Sequence, residues 1–312
     1  MKKALIFCSR GLGDGLLFNI LANNLALNDY QVEVYHNFLW QLNRWFPNFS
    51  IKSTNEEIDF FYKKIDLADL IILNGDSQKF NQSIKQYLLQ KHLAKSIILY
   101  PSSQTGNSFL GTVGWDRKQS MVKNLETICK TVLHLQDVKP DAGLQIPSDI
   151  QVVKQKDLIL LHHTSAVSKR NWPYKKFVKL EKFFIKNNYI IEYLLALHEK
   201  ENEHDQNSRF YCFSDLEMLA IKLLSAKFFV GNDSGIGHLA SLLKIPTFTI
   251  FTSKRKSKLW KPDWYFNEGI YPYNWIPNLK GMRIRDRLWH FFVENWRTKR
   301  KLGKLLKRGT YE

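Results

Sequence analysis

Cysteine is scarce in this 312-residue chain, with only Cys8, Cys129 and Cys212. Three cysteines without a C-x-x-C spacing exclude a closed disulfide framework and the usual zinc pattern, and they fit a reducing cytoplasm. Long apolar runs are also missing, because no stretch approaches the roughly 18 uncharged residues that a membrane span requires. The start, MKKALIFCSRGLGD, carries an apolar run of only Ala4 to Cys8 before Arg10 and Asp14 intervene, so it reads as a first β-strand rather than a leader. Acidic residues are few: 29 Asp and Glu stand against 46 Lys and Arg, a formal net charge of +17. That imbalance favours anionic partners, with nucleic acid, phosphorylated lipid and nucleotide substrates all open. No repeat or low-complexity tract occurs.

What is present is a globular composition, 44% hydrophobic and 14% aromatic, on a chain long enough for two cores of ordinary domain size. Strand-like runs ALIFC (4–8), QVEVY (31–35), DLIIL (69–73) and SIILY (96–100) alternate with helix-like stretches, the first from Leu16 to Leu27. That alternation predicts a parallel sheet wrapped by helices. The pattern dissolves between Lys139 and Lys156, where KPDAGLQIPSDIQVVKQK has two prolines and no apolar period, and the domain boundary belongs there. It restarts with strands at 157–162, 189–195, 209–213, 226–230 and 246–251 and helices at 173–187 and 215–225. The expected division is therefore 1–150, 151–285 and a terminal basic segment, 286–312, that reads as an amphipathic helix weakened by Gly303.

Two clusters carry chemistry. In GNDSGIGHLASLLKIPTFTIF, Asp233 to His238 lies between a strand and a helix, and ligands of doubly wound sheets bind at such helix N-termini. Free N–H groups there attract phosphate, the glycines admit close approach, and Ser234 and His238 offer donors. The plain alternative is that Asp233 caps the helix. After the first strand of the same half, His163-Thr164-Ser165 precedes Lys169 and Arg170, hydroxyls and cations suited to phosphate oxygens, although an exposed loop would look the same.

These segments resemble glycosyltransferase family 9, the bacterial heptosyltransferases of the lipopolysaccharide inner core. GNDSGIGHLASLLKIPTFTIF is similar to the family's Asp-Ser/Thr-Gly-x-x-His-x-Ala motif, HHTSAVSKRNWPYKKF to its Lys-Arg-Trp-Pro segment, and CSRGLGDGLLFNILANNLA to its Leu-Gly-Asp element. The resemblance implies an α/β GT-B fold, two Rossmann-like doubly wound domains facing a cleft, with the acceptor on the N-terminal domain and the nucleotide-sugar on the C-terminal one. It implies inverting, metal-independent transfer of heptose from ADP-heptose to an anionic lipid-linked saccharide, with no cofactor. By motif, Thr164, Ser165 and Lys169 hold the diphosphate, Asp233, Ser234, Gly235 and His238 close on it, and Glu199 binds the ribose with Glu201 as a nearby competitor. Asp14, beside Gly13 of the acceptor-side element, matches the general base; its plain alternative is a helix cap. The family also implies that the last helix crosses back to the N-terminal domain, burying Leu288, Phe291, Phe292 and Trp296, with its Lys and Arg residues free to meet the anionic inner leaflet from the cytoplasm.

Sugar transfer from a diphosphate needs a base for the acceptor hydroxyl and positive charge for the leaving group. Asp14 suits the first need and Lys169 the second. No Asp-x-Asp occurs, so cationic side chains must replace a metal pair. Arg10 and Arg117 suit an acceptor phosphate or carboxylate, with no motif behind them. Other readings are a family relative with a different nucleotide-sugar or an outer-core, capsule or protein acceptor; a shell that binds without catalysing; and a basic nucleic-acid-binding protein, for which no reading module is found.

Overall fold

The computed structural model describes residues 1–100, 116–197, 209–273 and 284–308. The chain divides into two compact units, Met1–Asp149 and Ile150–Glu312.

The first unit holds a five-stranded sheet in the order β3-β2-β1-β4-β5, built from β1 (Lys2–Phe7), β2 (Tyr30–Tyr35), β3 (Ser50–Lys52), β4 (Leu70–Asn74) and β5 (Ser96–Leu99). All pairs are parallel. The chain lays β2 and β3 on one side of β1 and then returns to lay β4 on the other. The loop after β1 therefore opens at the point where the winding reverses, the place where such sheets bind ligands. Helices α1 (Leu12–Ala26), α2 (Ile58–Asp66), α3 (Lys79–Lys91) and α4 (Met121–Thr131) accompany the sheet. Phe7 stacks on Tyr35 at 5.2 Å and meets Phe61 edge-on in the core.

Helix α1 starts four residues earlier than its apolar spacing indicates, and Leu27 is its exposed C-cap. It is buried along most of its length, including three asparagines. Two of them, with Asn28, strap down the segment read as a linker: Asn24 exchanges hydrogen bonds with the Lys139 backbone, Asn23 donates to the Asp141 carbonyl, and Asn28 accepts from Gln136 N–H. Gly143, at φ +78°, lies against Asn23, where any side chain would be strained.

The second unit holds a six-stranded parallel sheet in the order β11-β10-β9-β6-β7-β8. Its strands are β6 (Gln155–His162), β7 (Ile190–Ala196), β8 (Phe210–Phe213), β9 (Ala226–Asn232), β10 (Thr247–Ile250) and β11 (Asn267–Ile270). The winding reverses between β6 and β9, so the loops after these two strands are neighbours. Helices α5 (Tyr174–Lys186), α6 (Leu216–Ser225), α7 (Gly235–Leu242), α8 (Lys254–Leu259), α9 (Ile284–Arg287) and α10 (Asn295–Arg308) complete the unit. The short strands β3 and β11, sequences SIK and NEGI, were not legible as apolar runs.

The terminal segment differs from expectation. Leu288, Phe291 and Trp296 are exposed and Phe292 is half-buried. The buried apolar residues are Trp289, Val293, Leu302 and Leu305, and they join the core of the second unit with Trp172 and Phe177. Helix α10 packs on α5 and runs through Gly303, where an added Cβ would only touch Phe183 at 3.6 Å. Burying Leu302 and Leu305, at about 1.5–3 kcal/mol each, outweighs the ~1 kcal/mol propensity cost of that glycine. Among the described residues no helix is long and apolar enough to cross a membrane.

Candidate active site

In the first unit the site begins where β1 ends. Asp14 is the third residue of α1, whose N-cap is Gly11, so Asp14 lies in the first turn and is not the cap. The positive end of the helix dipole favours its negative charge. The Ser9 hydroxyl donates to Asp14 Oδ2 at 3.0 Å and accepts from Gly11 N–H. A side chain at Gly11 would strike the same carboxylate oxygen, its Cβ falling 2.6 Å away.

His36, fully buried after β2, fixes this loop. Its Nδ1 accepts from Phe38 and Leu39 N–H at 3.2 and 3.0 Å. The proton therefore sits on Nε2, which donates to the Gly11 carbonyl at 3.2 Å. Burial pushes the ring's pKa down to about 4, only partly opposed by that bond, so the imidazole is neutral. Gly15 is what lets the ring in, since a Cβ there would come within 2.7 Å of it. Sequence reasoning missed both Ser9 and His36; the position of His36 just after the strand beside β1 was the available signal. Gly13 is half-buried in the first turn of α1, Arg10 is exposed before it, and Arg117 is exposed in the turn leading to α4.

In the second unit the two sequence clusters meet through His162, the last residue of β6. Thr164 Oγ1 lies 2.9 Å from its Nε2, and Ser234 Oγ lies 3.3 Å from its Nδ1. One ring thus ties together hydroxyls from the loops after β6 and β9. Asn232, fully buried at the end of β9, adds a second tie. Its Oδ1 accepts from Trp172 N–H at 3.0 Å and its Nδ2 donates to the His163 carbonyl at 2.5 Å. Ser165 Oγ is within donating distance of Asn171 Oδ1, at 2.5 Å. Lys169 and Arg170 are exposed in a 3-10 turn, Ser168–Arg170, anchored where the Lys169 carbonyl accepts from the buried Trp289 indole at 3.2 Å.

Ser234, not Asp233, is the N-cap of α7, and no side chain caps the helix because the Ser234 hydroxyl turns to His162. The helix starts at Gly235, so Gly235 to His238 form its first turn rather than precede it. The N–H groups of that turn have no side-chain acceptor from the cap. Asp233 shares its surroundings with cations: burial and Arg170 hold Lys256 of α8 below the usual lysine pKa, with Asp233 opposing and Arg255 adding to the depression. His238 is buried with its ring 5.8 Å from that of Trp264, and desolvation pushes its pKa to about 4. It is therefore a neutral group here. Glu199 and Glu201 lie outside the described residues. Among the described residues no group of three or more His, Cys, Asp or Glu is arranged to hold a metal ion.

Residues 117–264, which carry both clusters, match the model of glycosyltransferase family 9 (heptosyltransferase). The chain thus carries a glycosyltransferase family 9 segment. Asp14 and its loop fall outside the matched segment. The E. coli ADP-heptose lipopolysaccharide heptosyltransferase II structure aligns at TM-score 0.71 with 14% identity, covering 99% of each chain. E. coli heptosyltransferase WaaC with ADP aligns at 0.65 with 15% identity, over 97% of this chain and 99% of that one. The iron-containing dodecameric glycosyltransferase TibC of enterotoxigenic E. coli aligns at 0.62 with 13% identity, over 99% of this chain and 77% of that one. At such identities these likenesses concern the fold, which is α/β and of the GT-B class. No curated protein sequence matches the chain significantly. The chain thus brings Thr164 and Ser234 together around His162, while Asp14 is held by Ser9 and the loop that His36 fixes in the other unit.

Proposed function

We propose that this enzyme moves heptose from ADP-heptose to an anionic, lipid-linked inner-core saccharide of lipopolysaccharide, with inversion and without a metal ion. The observation that carries this reading is the joining of Thr164 and Ser234 through His162. It sets hydroxyls, the uncapped start of α7 and the Lys169-Arg170 turn around the reversal point of one sheet. Such a set of donors and cations fits a diphosphate. In the transfer the acceptor hydroxyl attacks the anomeric carbon, the bond to the diphosphate breaks, and the electron pair leaves with ADP. Asp14 takes the hydroxyl proton, with Ser9 and the helix dipole holding its carboxylate in place. Lys169 and the α7 N–H groups stabilise the charge that grows on the leaving diphosphate. His238 stays neutral, so the cationic share falls to lysine and arginine.

Metal independence is supported by the absence of Asp-x-Asp from the sequence and by the cations around Asp233, although TibC contains iron. The acceptor's lipid places the reaction at the cytoplasmic side of the inner membrane. The exposed basic residues of the last helix, Arg300, Lys304 and Lys307, suit contact with that anionic surface. Incubating the full chain with ADP-heptose and a heptose-free, lipid-linked inner-core acceptor should yield acceptor one heptose heavier by mass spectrometry, equally in EDTA. Transfer only from UDP- or GDP-sugars would replace the donor assignment, and activity lost in EDTA and restored by an added metal would replace the metal-free mechanism.

A further inference from the structure

A second concave site lies within the C-terminal unit, at the carboxyl end of the edge strand β11, two strand places from β9 and its loop. A cavity of about 450 Å³ opens between the segment that leaves β11 and helix α10, a size ordinary for a small-molecule site. The transfer chemistry described above does not use this cavity, although Arg300 and Lys304, which line it, are also among the cations offered to the membrane surface.

Its four cations fall into two pairs with different duties. Arg297 lies over the Tyr273 ring, 3.6 Å from its centroid, and donates to the Phe292 and Tyr271 carbonyls. Lys301 bonds the Gly269 carbonyl and pairs with Glu268, both at 2.6 Å. These two are consumed in fastening α10 to the end of β11. Arg300 and Lys304, one turn apart, are exposed and have no hydrogen-bond or ion-pair partner among the described residues. Like charges at that spacing repel, a cost that an anion between them would turn into a gain.

One turn before Arg300 stands Trp296, 56% exposed. Its indole N–H is held by Glu294 at 2.6 Å, which fixes the ring's orientation and leaves its apolar surface to the cavity it lines. An oriented indole beside two free cations recognises a ligand with both an apolar ring face and an oxyanion. We infer that the groove between α10 and the end of β11 binds a phosphate- or carboxylate-bearing sugar, with Arg300 and Lys304 on the anionic group and Trp296 against the ring.

Glucose 6-phosphate is the probe, followed by calorimetric titration and tryptophan fluorescence on the full chain. It should bind more tightly than either glucose or inorganic phosphate alone. Arg300→Ala/Lys304→Ala should weaken it by roughly tenfold or more, equivalent to about 1.4 kcal/mol, and Trp296→Ala should weaken it severalfold. All three substitutions are at exposed positions, and unchanged circular dichroism and melting confirm that the fold survives. Lys169→Ala should bind the probe as wild type does, which separates this groove from the diphosphate site whatever the donor proves to be. The inference is overturned by no binding to wild type, by equal binding to the double variant, or by inorganic phosphate binding as well as the sugar phosphate. Binding to phosphatidylserine-containing vesicles without any glucose 6-phosphate binding would likewise overturn it, leaving a membrane-facing patch only.

Discussion

Asn232 is the residue on which the geometry of the proposed diphosphate site turns, and Asn232→Ala tests that. The side chain is fully buried, as is Trp172, and His163 is nearly so. Its amide bonds the Trp172 N–H and the His163 carbonyl. Removing it leaves one donor and one acceptor of the backbone unpaired in the interior, at about 1–3 kcal/mol each, or ~2–6 kcal/mol together. A water admitted to the vacated space would restore part of this, so a loss of ~2–4 kcal/mol is expected. Asn232→Asp retains the acceptor but sets a carboxylate oxygen against the His163 carbonyl. It should be at least as damaging at neutral pH and recover when acid protonates it. Urea unfolding followed by tryptophan fluorescence reads the stability, and ADP titration reads the site. Both should move together, since the tether that Asn232 gives up is the one ordering the loop from His163 to Trp172. An Asn232→Ala chain within ~0.5 kcal/mol of wild type, the range of ordinary surface changes, would refute the reasoning.

Acid should destabilise both units. His36 and His238 have native pKa values near 4 against 6.5 ordinarily, so the unfolded chain gains protons first and stability falls as pH drops from 6.5 towards 4, by up to ~1.4 kcal/mol per pH unit for each histidine. His36→Gln and His238→Gln should each remove one proton from the uptake on unfolding; a flat unfolding free energy between pH 7 and 5 in wild type would contradict this. Asp14→Asn should lower turnover by on the order of 10² to 10⁴ with donor affinity nearly unchanged, because a base acts only as the proton moves. Near-normal turnover would leave Asp14 a first-turn carboxylate and nothing more. Lys169→Ala should weaken donor binding and slow turnover, since the diphosphate is charged in the ground state and more so in the transition state; loss of neither, measured by ADP release and equilibrium titration, removes it from the site.

The sequence by itself determined the alternation of buried strands and helices, the neighbourhood of the break between the units, and the two clusters to which the diphosphate is proposed to bind. These are local signals: fully buried parallel strands are continuous apolar runs, and glycine, serine and histidine beside a helix start stand out at short range. Tertiary structure decided what those residues do to one another. The order β9-β6 makes neighbours of Thr164 and Ser234, and it lets Asn232 reach a backbone N–H 60 residues away. The same kind of pairing brings His36 to the Gly11 carbonyl, 25 residues distant. No apolar period forecasts β3 or β11, because three- and four-residue edge strands are held by their neighbours' ladders rather than by their own composition. In the terminal helix an amphipathic pattern was legible, but which aromatics are buried was not. Trp289 goes inside and Trp296 stays out because the core already built by Trp172, Phe177 and α5 offers a place to one and not the other. Hydrophobicity selects residues for burial, and only the shape of the core assigns the places.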